Sequence, residues 1–210
     1  MRVYFYIDGF NFYYLGVKKT PYKWLDFKSL FLKLLQPGQN LVAIKYYTAI
    51  VSGINDANKP IRQQTYLRAL KTYIPEISIY YGSFLTNKKW MPTANPGSGA
   101  GSGAKFVEVI RTEEKGSDVN LAVNLVNDAW KNLYDCAIVV SNDSDLGEAL
   151  RIVKTELNKS VGVFIPWRAY PSKDLLKYAD FIKHIRKNLL KNSQLPNSIP
   201  NTNIHKPIDW

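Results

Sequence analysis

Two hydrophobic periods alternate along this chain, and together they predict an α/β fold. Residues 137–140, Ala-Ile-Val-Val, are apolar and mostly β-branched, and they run straight into the polar turn Ser141-Asn142-Asp143-Ser144-Asp145. A continuous apolar run of this kind suits a strand buried on both faces of a parallel sheet. Leu146, Ala149, Leu150 and Val153 follow at spacings of three and four, the period of a helix. Residues 2–7 predict a first strand that ends at Asp8-Gly9-Phe10-Asn11. Asp26 then caps a helix whose inner face is Phe27, Leu30, Phe31, Leu34 and Leu35, stopped by Pro37-Gly38.

Further strands are predicted over 41–51, 77–85, 105–110 and 161–165, with a last one over 181–185. Pro60 suits the first turn of a helix reaching Tyr73, with Leu67, Leu70 and Ile74 inward. Ser117 is the natural N-cap of another helix, which buries Leu121, Ala122, Leu125, Val126 and Ala129, and Ser172 caps a short one to Ala179. Residues 87–104 read as an irregular, flexible excursion. Gly99-x-Gly101-x-x-Ala104 inside it resembles a dinucleotide fingerprint but leads into a strand instead of a helix, so it is rejected as a phosphate loop. The expected organisation is one domain over 1–185 and a tail over 186–210 packed upon it.

Composition narrows the chemistry. One cysteine and two histidines exclude an internal disulfide and leave no zinc site of the usual kind, so any metal must be held by carboxylates, as Mg2+ or Mn2+ are. No apolar run approaches the roughly 20 residues that cross a bilayer, and no secretory leader is visible, so no membrane association and a cytoplasmic location are expected. The formal charge of +11, from 28 Lys and Arg against 17 Asp and Glu, suits a polyanionic partner such as nucleic acid. A lysine-favouring codon bias produces the same excess, so charge alone decides little.

The acids decide more. Three predicted strand ends deliver them: Asp8; then Glu113, Glu114 and Asp118; then Asp143 and Asp145. Some have a plain structural reading: Asp143 or Asp145 can cap the following helix, and Asp118 in a first helical turn favours the helix dipole, whereas Glu113 and Glu114 have none. In a parallel sheet, however, all three ends lie on one edge, where ligands bind. Two like charges about 4 Å apart repel by about 4 kcal/mol at an effective dielectric near 20, so an acidic pocket in a basic protein calls for a cation. Carboxylate-held divalent metal on a basic surface suits phosphodiester hydrolysis. Arg62, Arg68 and Lys71 on one helix, and Lys88 and Lys89 beside Trp90, are candidate phosphate contacts, with a solvated surface as the plainer reading.

Asp8-Gly9-Phe10-Asn11, Glu114-Lys115-Gly116-Ser117-Asp118-Val-Asn-Leu-Ala122 and Ser141-Asn-Asp143-Ser-Asp145, in that order, resemble the NYN domain, a branch of the PIN-like nucleases. The resemblance implies a Rossmann-like three-layer sandwich with a mainly parallel central sheet, and metal-dependent ribonuclease activity with one or two Mg2+ or Mn2+ ions. It implies Asp8, Asp118, Asp143 and Asp145 as catalytic, metal-facing acids, with Asn11 and Ser141 orienting them. Glu114 and Lys115 fall inside the motif as supporting residues. RNA is the expected partner, with DNA and a homodimer left open. A non-cutting RNA- or protein-binding module of the same fold is the rival. A small-molecule phosphatase is disfavoured, since no Asp-x-Asp-x-Thr or Walker motif follows the first strand.

Overall fold

The computed structural model describes residues 1–54, 56–94, 105–167 and 169–210. In chain order the elements are β1 (Arg2–Asp8), α1 (Gly9–Phe12), α2 (Phe27–Leu32), β2 (Asn40–Thr48), α3 (Asn58–Tyr73), β3 (Ile77–Tyr81), β4 (Ser83–Pro92) and β5 (Phe106–Lys115). There follow α4 (Ser117–Trp130), β6 (Cys136–Val140), α5 (Gly147–Arg151), β7 (Ser160–Pro166), α6 (Lys173–Tyr178), β8 (Phe181–Ile185) and α7 (Lys187–Lys191). Both α1 and α5 run on into wider π-helical turns, Tyr13–Val17 and Ile152–Glu156.

Among the described residues the central sheet has the order β3-β2-β1-β6-β7-β8, and every neighbouring pair is parallel. The alternation of side chains across a strand explains its two covered faces. Val3, Phe5 and Ile7 of β1, with Ile138 and Val140 of β6, enter a core shared with Phe27, Phe31, Leu67 and Leu70 of α2 and α3. Tyr6, Ala137 and Val139 point the other way, onto Leu121, Leu125 and Leu150 of α4 and α5. This is the expected three-layer α/β sandwich. The segment after Arg186 joins the first core through Leu190, Leu195, Ile199 and Ile204, while Trp24 Nε1 donates to the Pro196 carbonyl at 2.9 Å.

The chain first builds outward from β1 to β2 and β3, then crosses back to β6 on the other side of β1 and builds outward again. The crevice between the carboxyl ends of β1 and β6 is therefore where the strand order reverses, the place where open α/β sheets bind ligands. Ile7 pairs with Val140, which sets Asp8 and Ser141 side by side at that edge.

Three expectations need correction. The strand predicted over 77–85 is two strands divided at Gly82, where an added Cβ would lie 2.6 Å from the Lys115 carbonyl oxygen. Residues 87–92 are not irregular: they belong to β4, which pairs antiparallel with β5 over its whole length as a separate two-stranded ribbon. The Gly/Ser/Ala run 97–103 and its fingerprint-like glycines lie outside the described residues. Finally, Glu113 and Glu114 lie within β5, not beyond a strand of the parallel sheet. Of the three strand ends invoked for the acids, only those of β1 and β6 belong to one edge. Smaller differences concern α2, which ends at Leu32, and β2, which ends at Thr48.

Gly9 starts α1 directly over β2. A Cβ there would meet the Tyr47 carbonyl oxygen at 2.6 Å and the Tyr46 ring at 2.8 Å. Backbone cannot yield to it as a flexible side chain would, so Gly9→Ala is expected to destabilise by about 1–3 kcal/mol, the usual cost of overpacking. A urea midpoint equal to that of the parent would refute the close approach.

A candidate metal centre at the sheet edge

Asp8 ends β1 and also caps α1, its Oδ1 accepting the Asn11 backbone N–H at 2.9 Å. Its other oxygen accepts the Ser141 hydroxyl at 3.0 Å. Ser141 in turn accepts the Asp143 N–H at 3.1 Å, so one buried hydroxyl ties the first acid to the backbone of the second. Asn11 Oδ1 accepts the Asn142 N–H at 3.0 Å and fixes the same turn from the β1 side. Asp143 caps the short turn Ser144–Leu146 by accepting the Asp145 N–H at 3.0 Å. The capping expectation is thus met at Asp143, whose Oδ1 takes the N–H.

Asp118 arrives from a different direction, in the first turn of α4. The cap position is Gly116, with φ +90°, and not Ser117 as expected; a left-handed residue there favours glycine. Glu114 Oε1 accepts the Ser117 N–H at 3.0 Å, so this acid serves the start of the helix that carries Asp118. Glu113 and Lys115 turn away: Glu113 pairs with Arg111 and, at 3.1 Å, with Lys115.

Carboxylate oxygens of Asp8, Asp118 and Asp143 lie within 4.8 Å of one another. An Mg2+ ion with oxygen ligands at about 2.1 Å spans about 4.2 Å between opposite ligands, a comparable spread. Asp8 is 5% exposed. Burial pushes its carboxyl up to about 6, helped by the charges of Asp118 and Asp143 and opposed by the hydrogen bonds from Asn11 and Ser141. Asp118 is also raised, by burial first and then by Glu114, Asp143 and Asp145. Three hard oxygen donors gathered in one place suit a hard divalent cation, and the residues fit the metal expected of them. Asp145 stands just outside the three, acting on Asp118 through its charge.

The acids open into a cleft of about 820 Å³, walled by Phe10, Tyr14, Phe84, Ile110 and Thr112 with Lys59 at one side. Phe84, Ile110, Thr112 and Glu114 come from the β4–β5 ribbon, which forms one wall. Of the proposed phosphate contacts, Arg62 pairs with Asp56 and lines an adjoining cavity. Arg68 is exposed on α3, and Lys88 and Lys89 are exposed on the ribbon; none of the three lines the cleft. Lys59 and Asn142 were missed. Lys59 lies in the first turn of α3, directly before Pro60, and nothing local marks it. Asn142 sits inside the recognised motif and ties the turn to the Tyr170 carbonyl and the Ser172 N–H.

The NYN domain family model matches residues 2–186. The chain belongs to the NYN domain family. Its fold is accordingly that of the PIN-like nucleases, whose members use divalent metals, and its acids cluster where such a metal would be held. The chain is 33% identical over 236 aligned positions to 6-hydroxy-3-succinoylpyridine 3-monooxygenase HspA of Pseudomonas putida, covering all of this chain and 75% of that one. It also resembles the crystal structure of a protein of unknown function from Vibrio parahaemolyticus, with a TM-score of 0.55 and 20% identity over 92% of this chain and 96% of the other. That likeness concerns the fold. Among the described residues no helix is long and apolar enough to cross a membrane.

Removing the Ser141 hydroxyl should loosen both acids it holds. Ser141→Ala is expected to weaken Mn2+ affinity by about 10–100-fold, the usual effect of losing a partner that orients a metal ligand. Calorimetric titration checks this, and an unchanged affinity would assign the hydroxyl to packing alone.

Proposed function

We propose that this NYN protein is a ribonuclease that hydrolyses RNA phosphodiesters at the β1/β6 crevice with Mg2+ or Mn2+. The observation that carries the reading is the convergence of Asp8, Asp118 and Asp143, with the Asp8 carboxyl held up to about 6 by burial and by its acidic neighbours. A divalent ion held there would supply a Lewis acid for the phosphoryl oxygens and an activated water. The protein supplies the rest. Asp8 is locked by the Asn11 N–H and the Ser141 hydroxyl, so its oxygens cannot swing out of the cleft. Asp145 adds negative charge behind Asp118 and, through its N–H, holds Asp143 in place. Lys59 stands on the cleft wall where it would meet a phosphate of the bound strand.

The name of the Pseudomonas relative supports a second reading, oxidation of a small hydroxypyridine acid. An all-carboxylate centre, with neither His184 nor His205 on the cleft wall, supports hydrolysis over it.

The test is cleavage of labelled single-stranded RNA with Mg2+ or Mn2+, with chelator, and by Asp118→Asn. The same preparation is assayed for oxygen and NADH consumption with a hydroxypyridine carboxylate. The proposal expects cleavage that needs both the metal and Asp118. Oxidation without cleavage would replace it with the second reading. RNA retained at low salt but never cut would leave a binding module.

A further inference from the structure

Beside the acid centre, and sharing Phe10, Tyr14, Val51 and Lys59 with its cleft, lies a second cavity of about 120 Å³. Its size is that of one ring: an apolar protein cavity of about 150 Å³ holds a single benzene. Its walls are aromatic. Tyr13 and Tyr14 meet edge to face at 5.4 Å on one side, and Tyr66 and Trp210 lie 5.1 Å apart on another. Its charge is positive, since Lys23, Lys59 and Arg62 line it against the single acid Asp209. Arg62 is engaged by Asp56, whereas Lys59 forms no ion pair among the described residues, and it stands at the junction of the two cavities.

One wall is closed by a partly buried indole. Trp24 Nε1 donates to the Pro196 carbonyl, but Trp210 Nε1 is buried with no hydrogen-bond partner among the described residues.

We propose that this cavity binds a six-membered aromatic heterocycle bearing an anionic group. The ring lies among Tyr13, Tyr14, Tyr66 and Trp210, and the anion meets Lys59 on the side of the acids. Under the nuclease reading, on which this source of the ligand rests, the ring is the pyrimidine base next to the phosphate being cut. The same chemistry occurs in a free pyridine carboxylate.

The experiment uses the full chain freed of metal, so that nothing is cleaved, and follows tryptophan fluorescence and heat on titration. The ligands are cytidine and uridine monophosphates, their uncharged nucleosides, adenosine monophosphate, ribose 5-phosphate and nicotinate. Base stacking on aromatic side chains is worth enough to predict that a ring-bearing ligand binds at least about tenfold tighter than ribose 5-phosphate. The ring size predicts a similar advantage of pyrimidine over purine. Lys59→Ala should remove most of the preference for monophosphate over nucleoside, and Trp210→Ala should weaken every ring-bearing ligand.

Saturable binding of pyrimidine monophosphates assigns the nucleotide source, and binding of nicotinate alone assigns the small aromatic acid. Equal affinity for purine, pyrimidine and ribose 5-phosphate overturns the proposal. So does an exposed Lys59→Ala variant that folds and binds like the parent. Metal-dependent RNA cleavage with no ligand binding would sink the cavity and spare the nuclease. Ring binding without cleavage under any metal would do the reverse.

Discussion

Asp8→Asn is expected to abolish metal-dependent cleavage while making the metal-free protein more stable at neutral pH. The two effects have one cause. Asp8 ionises near 6 in the folded chain against an ordinary 3.8, because burial and the charges of Asp118 and Asp143 disfavour its anion. Between those values the unfolded chain has released this proton and the folded chain still holds it. The group's contribution is therefore full stability below about 3.8, lost progressively as pH rises to about 6, with a plateau above. The gap corresponds to roughly 3 kcal/mol. Asparagine is uncharged, can still accept from the Asn11 N–H, and escapes that loss. Metal-free Asp8→Asn should therefore melt higher than the parent at pH 7 and close to it at pH 4. Added Mn2+ should stabilise the parent and leave the variant nearly unmoved, because binding to the native state alone stabilises it. Cleavage should fall by more than about 100-fold, since even groups one layer behind a metal ligand are worth 10–100-fold. A variant that is less stable than the metal-free parent at pH 7 would return Asp8 to a purely structural role as the cap of α1.

How the acids come together was only partly legible in the chain. Asp8 and Asp143 could be placed because each follows an apolar run too short and too β-branched for a helix, and parallel strands deliver their carboxyl ends to one edge. Asp118 was placed for an incorrect reason. The run before it looks like another strand of that sheet, and nothing in the residues of 106–115 says that it pairs with 83–92 instead. Register and partner of a strand depend on distant residues, and the strong β-propensity of Phe106, Val107, Val109 and Ile110 suits either sheet. What brings Asp118 to the other two acids is α4, which begins right after the left-handed Gly116 and carries the residue in its first turn. The excursion assigned to 87–104 failed over 87–92 for a similar reason: Asn87, Lys88 and Lys89 look like loop composition, yet a two-stranded ribbon exposed along both strands tolerates them. Motif order survived these errors, since it depends on which residues meet and not on the route.

The residue that sequence periodicity passed over altogether is Asp128, and its loss should be the largest stability effect outside the metal centre. It lies three residues after Leu125 and just before Ala129, on the face of α4 that packs against the sheet, and is 3% exposed. A charge there contradicts the apolar stripe, so a pattern search skips it. The sheet supplies the explanation: Tyr6 from β1 donates its hydroxyl to Asp128 Oδ2 at 2.6 Å, and Lys45 from β2 places its ammonium 2.5 Å from the same oxygen. Burial pushes the Tyr6 hydroxyl far above its ordinary range, so it stays protonated and remains a donor. The Lys45 ammonium also lies 5.5 Å from the Tyr80 ring centre, a weak second partner. Asp128→Ala leaves a largely buried cation and a buried hydroxyl without their acceptor, and is expected to cost about 3–5 kcal/mol in chemical denaturation. That is a large share of the total of about 5–15 kcal/mol typical of a folded domain. Asp128→Asn keeps an acceptor for Tyr6 and should lose less. The double variant Asp128→Leu with Lys45→Met removes both charges together and should recover much of the loss, because well-packed apolar groups often replace a buried ion pair without penalty. A loss below about 1 kcal/mol for Asp128→Ala would mean that water reaches Lys45, and that the layer between α4 and the sheet is held by its apolar residues alone.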